Sequence, residues 1–425
     1  MEKSIQGIRG FNDILPEASP AWRFVETTLR EILESYGYEE IRLPAVEKTA
    51  LFARTIGEVT DIVEKEMYTF ADRNGENVAL RPEGTAGCVR ACIQHGLLHK
   101  RQPRVWYGGA MFRYERPQKG RYRQFHQIGA EAFGTPGPDI DAEMILMTGR
   151  MLRSLGLDDL KLQINSLGTP ASRPAYRERL INYFRHHYEL LDEDARRRLA
   201  TNPLRILDSK NPSMQPLIAE APSILEHLDE ASRAHIEQIG AILTTAGVTY
   251  ILNPCLVRGL DYYTRTVFEW TSDRLGAQGT VCAGGRYDGL VEQIGGPPTT
   301  PAIGFAAGIE RLVALIAESG HVPPIPAPHA YLVVVGEEAV VPAYRLAETL
   351  RDRLPRLRLQ VNSGGGSFKN QFKRADRSGA RYALILAAEE VTAARVSVKD
   401  LRRDAAQGSL SEAELTALLT SCIAG

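Results

Sequence analysis

The stretch Met111 to Glu131, MFRYERPQKGRYRQFHQIGAE, concentrates groups that can do chemistry. Strand alternation predicts Arg113 and Glu115 on one face of a first strand, and Phe125, Gln127, Gly129 and Glu131 on one face of a second. The link from Arg116 to Arg123 holds four cations and Gly120. Two antiparallel strands would then offer an arginine, carboxylates, an aromatic ring and an amide to one surface, beneath a basic loop. A guanidinium suits a phosphate oxygen, Phe125 can stack on a base, and Glu131 can accept from a cationic or N–H-bearing ligand. A plain amphipathic hairpin explains the alternation, but not so many ion-pairing groups around one tight turn.

A scaffold must hold that hairpin. Upstream, Ser19 can cap a helix with Pro20 in its first turn and Trp22, Val25, Leu29, Ile32 and Tyr36 on one face; Gly37 stops it. A strand is predicted over Tyr38 to Leu43, and a helix near 85–98 among short strands between 60 and 135. The pattern turns helical from about 170 to 247, where Ile224, Leu228, Ala231, His235, Ile239, Ile242 and Ala246 keep one face. Glycine-rich, strand-like sequence returns from 248 to 310. The segment HVPPIPAPH, His321 to His329, reads as a stiff linker. Beyond it, strands 331–335, 357–362, 381–387 and 395–401 alternate with helices 340–353, 367–377 and 411–423, the last opened by a Ser411–Glu414 capping box.

At 425 residues the chain suits two or three domains, and 44% hydrophobic with 24% charged residues is ordinary for a globular protein. The net charge of −1 gives no global sign of a nucleic-acid partner. Locally, Arg345 to Arg403 carries fourteen Lys and Arg against six Asp and Glu, an excess of +8. Five cysteines without a CxxC pair argue against a disulfide framework. Cys88 with Cys92, and His95 with His99, are one helical turn apart; core or surface helix positions account for them better than a metal site. The start MEKSIQGIRG has no apolar signal core, and no run of about 18 apolar residues occurs, so a soluble, cytoplasmic protein without membrane contact is expected.

The hairpin resembles motif 2 of class II aminoacyl-tRNA synthetases. The first helix with Gly37-Tyr-Glu-Glu-Ile-Arg-Leu-Pro44 resembles motif 1, which forms the dimer interface in that family. Ala302-Ile-Gly-Phe-Ala-Ala-Gly-Ile-Glu-Arg311-Leu resembles motif 3. Leu256-Val-Arg-Gly-Leu-Asp-Tyr-Tyr-Thr-Arg-Thr-Val-Phe-Glu269 and Ala283-Gly-Gly-Arg-Tyr-Asp288 resemble the two signature peptides of histidyl-tRNA synthetases. Arg81-Pro-Glu-Gly-Thr85 is similar to their amino-acid-binding loop, and Asn362-Ser-Gly-Gly-Gly-Ser-Phe-Lys to their anticodon-binding domain.

The resemblance implies an α+β catalytic domain with an antiparallel sheet in two parts, 1–169 and 251–320, around a helical insertion at 170–250. A linker at 321–329 and an anticodon-binding α/β domain at 330–425 follow. It implies ligation of L-histidine to histidine tRNA through an adenylate, with ATP and Mg²⁺ (the metal carried by the nucleotide, not by protein-only ligands), no tightly bound cofactor, and a homodimer. Arg113 and Arg258 are implied to neutralise charge in the transition state. Glu83, Thr85 and Gln127 would meet the α-amino group; Glu131, Tyr263 and Tyr287 would surround the imidazole, Tyr262 being the alternative if the strand turns the other way. Arg113, Glu115, Arg121, Phe125 and Arg311 would bind ATP, Phe125 and Arg311 sandwiching adenine. Arg116, Gln118 and Arg123 would meet the acceptor end of the tRNA. Two rivals remain: a regulatory histidine-binding paralogue from histidine biosynthesis, and a non-catalytic sensor of uncharged tRNA. Arg258 could instead form a structural bridge with Asp261 or Glu269, and Gly364–Gly366 a helix-entry turn rather than a backbone nest for an anticodon base or phosphate.

Overall fold

The computed structural model describes residues 4–56, 60, 62–99, 101–118, 120–260, 262–320 and 323–424. Lys119, Asp261 and the first two residues of the proline-rich stretch therefore lie outside the described residues. The chain divides into two compact units, Met1–Pro323 and Pro324–Gly425.

The main sheet of the first unit has eight strands: β1 (Glu39–Glu40), β2 (Arg104–Phe112), β3 (Gln124–Phe133), β4 (Lys161–Ser166), β5 (Ile251–Leu252), β6 (Thr264–Thr271), β7 (Thr280–Arg286) and β8 (Ala302–Gly308); a small three-stranded sheet, Val46–Lys48, Asn77–Leu80 and Thr69–Ala71, stands apart from it. The eight lie in the order β1-β2-β3-β8-β7-β6-β4-β5. Every pair is antiparallel except the two at the edges, β1 with β2 and β4 with β5. On β3, Ile128, Ala130 and Ala132 alternate with the cleft-facing set and join the core. Val25, Leu29 and Leu33 from the helix Ser19–Ser35, and Met144 and Met151 from the helix Pro138–Ser154, fill the same core.

Several local expectations shift. Ala18, not Ser19, holds the N-cap position; Ser19 sits inside the first turn, its hydroxyl donating to the Leu15 carbonyl at 3.0 Å. The strand expected over 38–43 pairs only at Glu39–Glu40, with one further bond from Ile41 N–H to the Trp106 carbonyl. Gly37 does stop the helix, at φ +79°. The continuous face expected from Ile224 to Ala246 is broken at Asp229. That carboxylate accepts from Ser232 N–H at 2.7 Å and starts a separate helix, Glu230–Thr245, which packs on Pro138–Ser154. Cys88 and Cys92 are fully buried in the core. No helix among the described residues is long and apolar enough to cross a membrane.

A buried charge cluster ties these pieces to the second signature peptide. Asp141 accepts from His235 Nε2 at 2.8 Å, Thr266 Oγ1 at 2.6 Å and Arg286 Nε at 3.2 Å, with a second, closer contact to Arg286 Nη2. Arg286 also donates to the carbonyls of Thr135 and Gly137 and to Asp288. Both Asp141 and Arg286 are fully buried. Burial pushes the Asp141 carboxyl up, but the His235 bond and the Arg286 charge outweigh it and hold it below the usual range. Asp141→Ala should lower unfolding stability by about 3–5 kcal/mol, because it strands a buried guanidinium. The depressed carboxyl makes its contribution fully present above the unfolded value near 4 and lost as pH falls through the folded one. Denaturant titrations at pH 7 and below about pH 4 read both; an unchanged midpoint at pH 7 would show the cluster to be idle.

The second unit is a five-stranded sheet in the order Leu359–Val361, Ala330–Val334, Tyr382–Leu386, Val396–Asp400, Gly408–Leu410. The four expected strands are present, the first shifted by one residue and the others two or three residues shorter, and Gly408–Leu410 adds a fifth. The helices are Val340–Arg353, Phe368–Arg377, Glu412–Ala424 and an additional Ala388–Ala393. Ser411 and Glu414 form the expected reciprocal cap, Ser411 N–H donating to Glu414 Oε2 at 2.7 Å and Glu414 N–H to Ser411 Oγ at 3.3 Å. Gly364, Gly365 and Gly366 all have positive φ and lead into Ser367, whose side chain caps the next helix. Their conformation is that of a helix-entry turn.

Candidate active site

The cleft-facing side of the sheet bounds a space of about 880 Å³. Strand β2 ends at Phe112, so Arg113 and Glu115 stand just past the strand rather than on it, although Arg113 N–H still donates to the Arg123 carbonyl at 2.9 Å. The loop between is closed by reciprocal Gln118 and Arg121 backbone bonds of 3.0 and 2.9 Å. On β3, Phe125 and Gln127 line the cleft as alternation requires. The loop Arg81–Thr85 is pinned beside them: Arg81 donates to the carbonyls of Ala110 and Leu43, and Arg113 Nε to the Pro82 carbonyl at 2.9 Å.

One end of the cleft is floored by a carboxyl held between phenols. Glu131 is fully buried and accepts from Tyr107 Oη at 2.8 Å and Tyr287 Oη at 2.5 Å. Burial pushes its pKa up to about 8 against those two bonds. The pair fits only because side chains are missing nearby. A Cβ on Gly304 would collide with the Glu131 carboxylate, and one on Gly84 or Gly129 with the Tyr107 ring. Tyr262 and Tyr263 stand above, their ring centroids 4.7 Å apart, and Tyr262 meets Tyr287 edge-on at 5.6 Å. Both line the cleft. The expected alternation between them does not apply, since they precede the strand that begins at Thr264. Glu83 accepts from the N–H groups of Thr85 and Ala86 at 2.5 and 3.0 Å, at the start of the helix Thr85–Gln94. Among the described residues, Gln127 Oε1 is buried without a hydrogen-bond partner.

The other end is cationic. Arg113, Arg121, Arg258 and Arg311 all line it. Arg113 lies over the Phe125 ring, 5.2 Å from its centroid. Arg121 pairs closely with Glu115, which is 4.0 Å from Arg113. Arg258 Nη1 donates to Glu269 Oε2 at 2.6 Å while its Nε, among the described residues, has no partner. Arg311 donates to the carbonyls of Gly120 and Thr280. Burial, then the charges of Arg121 and Arg113, push the Arg311 guanidinium below its usual range; burial and Arg258 act the same way on Arg113. Like charges gathered in a half-buried cleft are costly until an anion joins them.

Twelve expected residues thus meet in one cleft: Glu83, Thr85, Arg113, Glu115, Arg121, Phe125, Gln127, Arg258, Tyr262, Tyr263, Tyr287 and Arg311. Glu131 lies beneath its floor rather than on its wall. Arg116, Gln118 and Arg123 are outside it: the first two are exposed, and Arg123 stacks over the exposed Tyr114 ring at 3.8 Å. The Arg258–Glu269 bridge foreseen as an alternative is present, on a residue that also faces the cleft. Tyr107 carries no local signal of its role, because Val105-Trp-Tyr107 reads as an ordinary buried strand; the glycine slots that admit its ring belong to segments far apart in the chain.

Comparison with known proteins yields a consistent set of similarities. The family profile described as histidyl-tRNA synthetase matches residues 10–312, and one described as an anticodon binding domain matches 329–421. A histidine–tRNA ligase of Halorhodospira halophila is 65% identical over 408 residues, covering 96% of this chain and 96% of its own length. One of Alkalilimnicola ehrlichii is 63% identical over 416 residues, 98% of this chain and 96% of its own length. The solved structure of the apo histidyl-tRNA synthetase of S. aureus superposes with a TM-score of 0.82 at 37% identity, over 98% of this chain and 100% of that one.

Proposed function

The chain belongs to the histidyl-tRNA synthetase family and ligates L-histidine to tRNA, and from that premise we propose how its residues divide the work. The observation that carries the division is the polarity of the cleft, four guanidiniums at one end and a phenol-held carboxyl under the other.

ATP occupies the cationic end. Arg113 and Arg258 neutralise the charge that builds between the histidine carboxylate and the α-phosphate, with no covalent enzyme intermediate. Phe125 and Arg311 flank the adenine, and Arg121 with Glu115 borders the phosphates. Mg²⁺ enters with the nucleotide and screens phosphate charge; Glu115 and Glu269 are each engaged by an arginine, which suits a metal carried by the substrate. The histidine α-amino group faces Glu83, Thr85 and Gln127, the last with a free acceptor. Tyr263 and Tyr287, with Glu131 behind them and Tyr262 alongside, surround the imidazole, where phenols and a carboxyl can satisfy both ring nitrogens. Arg116, Gln118 and Arg123 present a basic rim to the tRNA acceptor end. Pyrophosphate exchange into ATP, run with and without L-histidine, tests this: histidine-dependent exchange supports it, and its absence from folded protein sinks it. A regulatory paralogue or a tRNA sensor would give no such exchange, and the anticodon-binding match over 329–421 further weighs against the former.

The second unit reads the anticodon, and the first unit forms the homodimer. Each unit has its own buried core. The candidate adenylation residues all precede Pro323, and the local excess of +8 follows it. A 1–325 truncation should dimerise and keep histidine-dependent exchange, yet charge tRNA with a much higher KM, a shallower salt dependence and little sensitivity to anticodon changes. Light scattering, exchange and aminoacylation assays read the three parts. Undiminished charging with intact anticodon discrimination would overturn the role given to the second unit.

A further inference from the structure

One cluster joins three segments far apart in sequence at the back of the cationic end. Strand β8 ends at Gly308, which pairs with Gln127; one residue further along β3, no strand remains to receive the His126 N–H. The side chain of Glu310 takes that place. Its carboxylate accepts from the His126 N–H through both oxygens, at 2.8 and 3.0 Å, and from His126 Nδ1 at 3.0 Å. An acceptor-only carboxylate requires the ring proton on Nδ1. The Trp22 ring of the first helix then closes on the His126 ring edge-on, 5.0 Å between centroids. The helix Ile309–Ser319, on which Glu310 sits in the first turn, packs on the Trp22 helix.

The neighbours of this clasp are what give it meaning. His126 lies between Phe125 and Gln127, both facing the cleft, and Glu310 is followed directly by Arg311. A bond from residue 126 to residue 310 therefore ties the segment that carries Phe125 to the segment that carries Arg311. Glu310 is shielded, with 10% of its side chain exposed, so the three contacts compete little with water.

We propose that Glu310 is a positioning residue for the nucleotide half of the site: through the amide and ring of His126 it holds Phe125 and Arg311 at the spacing that grips the base. The inference rests on the reading that these two residues flank adenine. Glu310 borders the same cleft, but it is assigned no direct bond to substrate; on the histidine side of His126, Gln127 is separately held between Gly109 and Gly308 of the neighbouring strands.

Steady-state exchange kinetics on the full chain test it, with KM measured separately for ATP and for histidine. Glu310→Ala and Glu310→Asp, the latter too short to reach both His126 groups, should each raise KM for ATP about tenfold, since small misplacement of a binding group is felt strongly. KM for histidine and kcat at saturating ATP should stay within about threefold. Glu310→Gln, whose amide oxygen still accepts from the His126 N–H, should keep KM for ATP within about threefold. The aspartate variant carries the test should the alanine variant fail to fold. Phe125→Leu serves as the reference for the underlying reading. If it leaves KM for ATP unchanged, the adenine assignment fails, and this inference with it. If it raises KM for ATP while Glu310→Ala and Glu310→Asp do not, only the positioning role is overturned. A glutamine variant as impaired as the alanine one, or a parallel rise in KM for histidine, also overturns it.

Discussion

Arg258→His should cut kcat for histidine-dependent pyrophosphate exchange by ~10² or more while leaving KM for histidine within a few-fold, as expected for a donor used mainly in the transition state. The geometry supports a double duty. One guanidinium edge is held by Glu269 at 2.6 Å, and Nε keeps an unspent donor. Burial opposes the Arg258 charge, and nearby groups led by the Glu269 carboxylate, with Asp208 among them, more than restore it, so the cation is kept ready in a site that would otherwise disfavour it. Histidine is shorter and cannot reach both Glu269 and a phosphate, so the variant also loosens the bridge. Turnover must therefore be normalised to active sites titrated by adenylate formation, with a melting curve recorded in parallel. Normal turnover per active site together with a lowered melting temperature would make Arg258 a structural bridge only.

Glu131→Ala should lower kcat/KM for histidine by roughly 10²–10³, because removing one partner from a buried charged hydrogen bond costs ~2–5 kcal/mol. The loss acts twice: it removes an acceptor for the imidazole and releases Tyr287, which Glu131 holds at 2.5 Å. A pH dependence accompanies it. In the free enzyme the carboxyl is pushed up to about 8, so it is mostly protonated at neutral pH. The carboxylate accepts an imidazole N–H more strongly than the neutral acid does, so histidine binding favours loss of that proton. KM for histidine should then fall roughly tenfold or more between pH 6.5 and 8.5, and Glu131→Gln should flatten the profile. The same raised value makes the carboxyl's contribution to folding fade as pH climbs from about 4.5 through 8, opposite to Asp141. A flat pH profile in the parent enzyme would remove Glu131 from direct contact with the ring, and near-normal activity of Glu131→Ala would remove it from the pocket.

The hairpin was legible because a period of two and a cluster of ion-pairing residues coincide within one short stretch, so Phe125, Gln127 and Glu131 share a face whatever surrounds them. The Ser411–Glu414 cap was legible for a similar reason: both partners lie within one helical turn. Misreadings arose where a local feature was outranked by one not yet weighed. Tyr262 and Tyr263 were assigned to a strand that starts a residue later, and the apolar face from Ile224 hid the cap at Asp229. What no local reading could reach is side-chain pairing across distance. Glu310 meets His126 because sheet order brings β3 beside β8 although some 170 residues separate them in sequence, and Asp141 meets His235 because two distant helices pack together.

The three glycines around Tyr107 and Glu131 bear on how this pocket can be redesigned. Libraries that aim to admit histidine analogues would naturally vary small residues near the ligand, yet here the small residues are the mould rather than free space. Any side chain at Gly84 or Gly129 displaces the Tyr107 ring, and any at Gly304 displaces the carboxylate. Mutational tolerance should therefore be lowest where the pocket looks emptiest. Analogue selectivity is better sought at Tyr262 and Tyr263, whose rings stand on the cleft wall ahead of a strand.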